Sequence, residues 1–240
     1  MEDVFQRLTE TEKTNLLGEG GFVRLVDSLP RLVPTGRGCD FAIVRNARVS
    51  TGTGLKSVEA DTKLVHRLAA DYHTSPFESV SFVFHISCPL FVAIHFIRHR
   101  TAKINMFSQR YAPVDRQNVD VQWYTPKPRL QSKHNHQGSE TTPTTDDHLN
   151  SLINQADDHI RHLFSLYEQM LDGGMAREVA RYCLPESCYT TFYFEMDLNN
   201  LLKFFHLRCA SDTQYETRVF AQAMKELIQP LLPMLTHELD

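Results

Sequence analysis

Residues 89–110 read PLFVAIHFIRHRTAKINMFSQR, in which an apolar run passes directly into a cationic one. Pro89 is a typical first residue of a helix, so the apolar half predicts a buried helix that places Arg98 at the edge of the core. From Arg98 to Arg110 the run contains no carboxylate. Because the planar donor fork of arginine matches phosphate oxygens, this stretch predicts a cleft that binds an anion.

Two spacings in the cationic run limit what it can contact. Arg98 and Arg100 would project to nearly opposite sides of a helix, so one short segment can serve two sites. Ser108 and Arg110 share a face if the chain is extended there, which the following residues 111–114 favour. A hydroxyl beside a guanidinium would then form a phosphate clamp.

Metal and disulfide chemistry are disfavoured. His95 and His99 have the i, i+4 spacing of a metal site, but Phe96 stands where hydrolytic zinc sites need a general-base Glu, and no third ligand is evident. The five cysteines are odd in number and show no CxxC or Cys/His finger spacing. We therefore predict reduced thiols and no bound metal.

The length and net charge of the chain limit the number of domains and the kinds of partner that we expect. A chain of 240 residues can form one domain with a substantial core, and we expect a single domain over residues 1–240. With 25 Lys and Arg against 29 Asp and Glu, the net charge of −4 disfavours nucleic acid or a membrane surface as partner. The N-terminal MEDVFQRLTETEK is acidic and predicts neither a signal peptide nor a membrane span. We expect a soluble, cytoplasmic protein.

Hydrophobic periodicity predicts a mixture of helices and strands. Helices are expected at 58–72, 148–171, 199–207 and in the tail 213–239, strands at 80–88 and 189–196, and a strand followed by a short helix at 40–49. Residues 112–147 form a long polar connection, which the apolar Trp123 and Tyr124 could anchor. Within it, residues 131–147 are predicted to be a flexible insertion or a lid.

Three further arginines stand out. Arg208 shares a helix face with Leu201, Phe204 and Phe205, so a guanidinium is carried toward an apolar region and needs an anionic or acceptor partner. Packing of its stem on those rings is the structural alternative. Arg177 and Arg181 are like charges at i, i+4, and Glu178 is the local acid that could pair with one of them.

The cationic run resembles the signature of the flavin-dependent thymidylate synthases (the ThyX family), which is Arg-His-Arg, seven residues, then Ser-x-Arg-Tyr. The matching residues are Arg98, His99, Arg100, Ser108, Arg110 and Tyr111. Other family segments follow in the same order: ARVS at 47–50, HTSPFE at 73–78, REVARYCLP at 177–185, FFHLR at 204–208 and QYE at 214–216. The resemblance runs from about residue 47 to residue 220, which is most of the chain.

The resemblance implies an α+β fold, a single domain with a mainly antiparallel sheet flanked by helices. It implies a homotetramer whose active sites draw on more than one subunit. The implied reaction is reductive methylation of dUMP to dTMP, with methylenetetrahydrofolate as carbon donor, FAD as redox carrier and NADPH as reductant.

The resemblance also assigns residue roles. FAD would be bound by Ser75, Glu78, Arg98, His99, Arg100 and Asn199. The nucleotide would be bound by His95, Ser108, Gln109, Arg110, Arg181 and Arg208. Arg208 would be the catalytic residue, favouring the ionised form of the pyrimidine ring; Ser108 would bind substrate rather than act as a nucleophile.

Several positions depart from the family pattern. Met106 stands where the family commonly has Glu, His95 where it commonly has an amide, and Asp197 and Lys203 occupy a flavin-contacting stretch. Two alternatives therefore stay open: a flavin-dependent methylase or hydroxymethylase of another pyrimidine nucleotide, and a non-catalytic nucleotide- or RNA-binding relative. The absence of interleaved exposed aromatics in the basic run disfavours the second.

Overall fold

The computed structural model describes residues 5–7, 11–117 and 122–236. Its centre is a five-stranded antiparallel sheet in the order β2-β3-β5-β7-β6, beside a two-stranded sheet of β1 and β4. The strands are β1 (Phe5–Arg7), β2 (Thr11–Thr14), β3 (Phe22–Leu29), β4 (Leu32–Pro34), β5 (Ser81–Pro89), β6 (Lys103–Met106) and β7 (Tyr189–Asp197). This is the α+β fold with a mainly antiparallel sheet that the sequence predicted.

Helices flank the sheet. They are α1 (Phe41–Arg48), α2 (Val58–Ala70), α3 (Leu90–Ile97), α4 (Asp147–Asp172), α5 (Arg177–Ala180), α6 (Leu198–Arg208) and α7 (Tyr215–Ile228). Short 3-10 helices lie at Val49–Thr51, Ser75–Ser79, Val114–Arg116, Arg181–Cys183 and Gln229–Leu231. None of the helices within the described ranges is long and apolar enough to cross a lipid bilayer.

β5 lies in the middle of the sheet, paired with β3 and β7, and its alternating sequence supplies one wholly apolar face. Phe82, Phe84 and Ile86 are buried, while the residues between Phe82 and Ile86 are only partly so. β7 pairs with β5 along its whole length, with Phe84 opposite Phe194. The predicted strands at 80–88 and 189–196 are therefore confirmed, and they carry the core to the start of the cationic run.

The apolar half of residues 89–110 forms α3, as predicted, but only one face of the helix is buried. Val92, Ala93 and Phe96 lie in the core, whereas Ile94 and Ile97 are exposed. Phe96 packs against Phe192 and Phe194 of β7 and against Phe204 of α6, with ring centroids 5.6, 5.5 and 5.2 Å apart. These contacts hold α3 and α6 together on the inner face of the sheet. α3 ends at Ile97, so Arg98 emerges where the core stops.

The predicted strand in residues 40–49 is wrong. Residues 41–48 form the helix α1 instead, and its first four residues, Phe41 to Val44, are all buried. A short run of consecutive apolar residues fits either a buried strand or a helix covered on several sides, and periodicity cannot separate the two.

The extended conformation predicted for residues 108–114 is also wrong. The backbone N–H groups of Tyr111 and Ala112 donate to the Ser108 carbonyl at 3.0 and 3.2 Å, which closes a turn. The turn follows β6, an edge strand paired with β7 that the cationic composition of the run concealed. Ser108 and Arg110 therefore do not share a strand face.

The long polar connection is anchored where the sequence suggested. Trp123 forms a bridge with Cys188, and its indole N–H donates to the Asp157 carboxylate at 2.8 Å. The Tyr124 N–H donates to the Ser187 carbonyl at 2.9 Å. The mobility of residues 131–147 and the extent of the domain over all 240 residues remain predictions.

Candidate functional site

The described residues bring Arg208, His99 and His95 together at the end of α6. The Arg208 Nε donates to Nε2 of His99 at 3.0 Å, and its Nη2 donates to the His95 carbonyl at 3.4 Å. Leu201, Phe204 and Phe205 are buried and Arg208 is half-buried. The arginine thus has neutral acceptor partners, as its apolar setting required, and no carboxylate among the described residues takes its charge.

The orientation of His95 depends on a second helix. Its Nδ1 lies 3.2 Å from the Thr217 hydroxyl, which is buried in the first turn of α7. Sequence reasoning missed Thr217 because the two residues are 122 positions apart and a lone Thr carries no signal. α7 therefore orients the His95 ring, while the backbone carbonyl of the same residue accepts from Arg208.

Burial governs the ionisation of this group. Burial, and secondarily the charge of Arg208, lower the pKa values of His95 and His99 from the ordinary value of 6.5. Burial also lowers the pKa of Arg208, which nevertheless stays charged at neutral pH. Neutral His99 can accept the Arg208 hydrogen bond, whereas imidazolium cannot, because both of its nitrogens are donors.

This arrangement predicts a one-sided pH dependence. The pKa of His99 in the folded protein is below 6.5. The contribution of neutral His99 to stability is therefore fully present above pH 6.5 and is lost as the pH falls through the folded-state pKa. We expect nucleotide-dependent turnover to hold steady from pH 8 to about 6.5 and then to fall with protonation of His99. The pH profile of kcat/KM for dUMP measures this loss. The variant His99→Gln, which keeps a hydrogen-bond acceptor, should reduce the fall in kcat/KM below pH 6.5. An unchanged fall would show that another group controls it.

Two predicted flavin-contacting residues meet at the start of α6. The amide nitrogen of Asn199 donates to the Glu78 carboxylate at 3.3 Å, and Ser75 is exposed at the start of the same 3-10 helix as Glu78. Asp197, one of the departures from the family pattern, caps α6 by accepting from the Asn200 N–H at 3.0 Å. The capping role accounts for an acid at that position.

A third group forms around the turn after β6. Arg110 pairs with Glu178 of α5 at 3.1 Å, and the Arg110 N–H lies 3.4 Å from the Ser108 hydroxyl. Gln109 lies in the same turn. The expectation that Glu178 pairs with Arg177 or Arg181 is wrong, because the turn brings Arg110 to Glu178 from a distant part of the sequence.

Arg98, Arg100 and Arg181 make no side-chain hydrogen bond or ion pair with any described residue. Arg98 and Arg100 are exposed and Arg181 is half-buried. No hydrogen bond or ion pair among the described residues joins the Arg208, Glu78 and Arg110 groups to one another. Three arginines without partners among the described residues can accommodate phosphate groups.

A cleft of about 930 Å³ adjoins Arg208 and His95. Its other walls are the first turn of α7, which includes Glu216, and the segment 129–141, which begins at Arg129. Of these two charged residues only Glu216 had a sequence signal, through the QYE segment. Arg129 was missed because it lies in the polar connection, where single charges are normally exposed.

The described residues thus form an antiparallel α+β protein with a half-buried arginine and three further arginines that no described carboxylate neutralises, an arrangement suited to an anionic ligand. Residues 31–234 match the family model described as thymidylate synthase complementing protein. This chain therefore belongs to that family, and the family membership predicted from the sequence is confirmed.

Similar proteins support the same family assignment. The flavin-dependent thymidylate synthase of Wolbachia pipientis wMel is 40% identical over 220 residues, covering 89% of this chain and 72% of that protein. The one from Dictyostelium discoideum is also 40% identical over 220 residues, covering 89% and 69%. The crystal structure of the UMP/dUMP methylase PolB from Streptomyces cacaoi, bound with 5-Br dUMP, superposes with a TM-score of 0.73 at 27% identity, covering 97% of this chain and 95% of that chain.

Proposed function

We propose that this protein is a flavin-dependent thymidylate synthase that methylates dUMP to dTMP, with methylenetetrahydrofolate as carbon donor and NADPH as reductant. The observation that carries the proposal is the setting of Arg208. Its guanidinium is half-buried and bonded to neutral acceptors, so its charge is left for a ligand. The family and the curated relatives support the same reaction.

The proposed role of Arg208 is to stabilise negative charge on the pyrimidine ring. Its Nε and one N–H of Nη2 are used by His99 and the His95 carbonyl, and its Nη1 makes no hydrogen bond with the described residues. A cation in a partly dry site stabilises a developing enolate-like oxygen more strongly than one in water. Neutral His99 keeps the guanidinium in position without cancelling its charge.

The unpaired arginines fit the phosphate groups of the proposed ligands. Arg98, His99 and Arg100, with Ser75, Glu78 and Asn199, would hold FAD, which supplies the redox chemistry when bound. Ser108, Gln109, Arg110 and Arg181 would hold the nucleotide, with His95 beside its ring. Arg110 already pairs with Glu178 at the surface. The nucleotide phosphate must therefore share Arg110 with that carboxylate or displace the carboxylate.

We also propose a homotetramer with shared active sites and a cytoplasmic location. Arg98, Arg100 and Arg181 have no ion-pair partner among the described residues, so their charge is left for ligands or for a second subunit, which supports sharing. The five cysteines, which are unpaired thiols in the structure, are compatible with a reducing compartment. Size-exclusion chromatography with light scattering would test the assembly.

The decisive experiment begins with the visible spectrum of the purified protein. We expect a flavin band that NADPH bleaches anaerobically, faster with dUMP present, and conversion of dUMP to dTMP when methylenetetrahydrofolate is added. A colourless protein that takes up no FAD would refute the proposal. Supplying UMP and dCMP in parallel tests the choice of substrate.

A second candidate is methylation of UMP as well as dUMP. It is favoured by the likeness to the UMP/dUMP methylase and by Met106, which packs against the core opposite Phe192 instead of offering a carboxylate. Methylation of dUMP with no methylation of UMP would eliminate this candidate.

A further inference from the structure

A buried ion pair lies at the edge of the cleft that holds Arg208. The Arg129 guanidinium donates to the Glu216 carboxylate, and the two side chains are only 11% and 3% exposed. The Tyr124 hydroxyl donates to the same carboxylate at 3.3 Å, and burial, then the neighbouring Glu216 charge, raise the pKa of Tyr124 to about 12. A pair this buried is costly to break, because the remaining charge has lost its water.

Arg129 also closes the segment 129–141 on itself. Its Nε donates to the Ser139 hydroxyl at 3.1 Å, and its guanidinium lies 4.6 Å above the Tyr215 ring. Within the segment, Gln131 bridges Ser139 and the Glu140 N–H donates to the Leu130 carbonyl at 2.8 Å. The segment is thus a closed loop fastened at its base to α7.

The fastening point adjoins the residues that hold Arg208. Glu216 holds the loop, and the next residue, Thr217, contacts His95, whose carbonyl accepts from Arg208. Polar side chains of the loop, including Gln131 and Asn135, line the same cleft as Arg208 and His95. Neighbouring residues in one turn of α7 therefore contact both the loop and the residue whose carbonyl accepts from Arg208.

We propose that Arg129 is a positioning residue that fastens the segment 129–141 as a wall of the Arg208 cleft. The inference rests on the proposed function, because the ligand at Arg208 is taken to be the pyrimidine nucleotide. The wall keeps bulk water from the ring and so strengthens its interaction with Arg208. Its loss should lower kcat more than it raises the KM for dUMP.

The test uses the FAD-loaded protein, three variants of the ion pair and one control variant. Arg129→Leu removes the fastening, Arg129→Leu with Glu216→Gln removes it without leaving a buried charge, and Arg129→Lys keeps the charge. Arg67→Leu is the matched control, since Arg67 forms an exposed pair with Asp71 at the C-terminal end of α2. Hydrogen exchange of residues 129–141 and the kinetics of dTMP formation are measured for each.

We expect residues 129–141 to exchange about tenfold faster in the single and the double variant that carry Arg129→Leu, with flavin content unchanged. The kcat should fall about tenfold with a smaller change in KM, and the Arg129→Lys variant should recover part of it. Unchanged exchange would show that Arg129 does not hold the loop in place. Faster exchange with kcat within about twofold of wild type would show that the loop does not contribute to turnover as a wall of the cleft. If the wild type fails to methylate dUMP, the proposed function falls, while the exchange data still decide whether Arg129 holds the loop.

Discussion

Arg208→Ala is expected to lower the turnover of dUMP by about a hundredfold or more while FAD stays bound, because one oriented charge at a reacting oxygen has an effect of that size. The substitution removes the half-buried cation and the hydrogen bond that it donates to His99. Single-turnover kinetics with dUMP measure the loss, and the flavin absorbance per protein measures retention.

Arg98→Ala is the matched contrast. Arg98 is exposed, and it makes no ion pair with the described residues, so its loss should leave the fold intact and weaken FAD retention first. Flavin titration separates the two variants. Loss of FAD from Arg208→Ala, with Arg98→Ala retaining it, would show that the two roles are assigned the wrong way round.

Asp61→Ala is expected to destabilise the protein by about 3 kcal/mol or more, because it leaves buried guanidinium groups without their counter-charge. Asp61 is fully buried and lies 2.6 Å from both Arg37 and Arg48. It also accepts from the Lys56 N–H at 3.2 Å. Urea unfolding of the FAD-loaded protein, followed by circular dichroism, measures the change in the free energy of unfolding.

The control for Asp61 lies on the same helix. Lys63 forms an exposed pair with Glu59, with side chains 76% and 78% exposed, so Lys63→Ala should change stability by less than about 0.5 kcal/mol. If Asp61→Ala were as mild as Lys63→Ala, the two arginines would have to find water or other acceptors. The structure places Arg48 of the ARVS segment in this cluster with Asp61 and not at the cleft, so we expect its role to be structural.

Local pattern was sufficient for the central strands and for α3. β5 shows period-two alternation, β7 is rich in aromatic residues, and the apolar run after Pro89 forms α3, although only one face of that helix is buried. The same reasoning failed at residues 40–49 and 108–114. The apolar residues of segment 40–49 follow one another without a period, so their pattern does not distinguish a helix from a strand. The turn in segment 108–114 depends on the pairing of β6 with β7, which is not a local property.

The sequence by itself determined that cations begin where the core ends, which residues match the family signature, and that Arg208 needs an acceptor. Only the tertiary structure decided which acceptor it has, because His99 lies 109 residues away and reaches Arg208 through the packing of α3 on α6. The Arg110 to Glu178 and Arg129 to Glu216 pairs, separated by 68 and 87 residues, are of the same kind. Side-chain periodicity fixes which face of an element is buried, whereas the partners across that face depend on how distant elements pack.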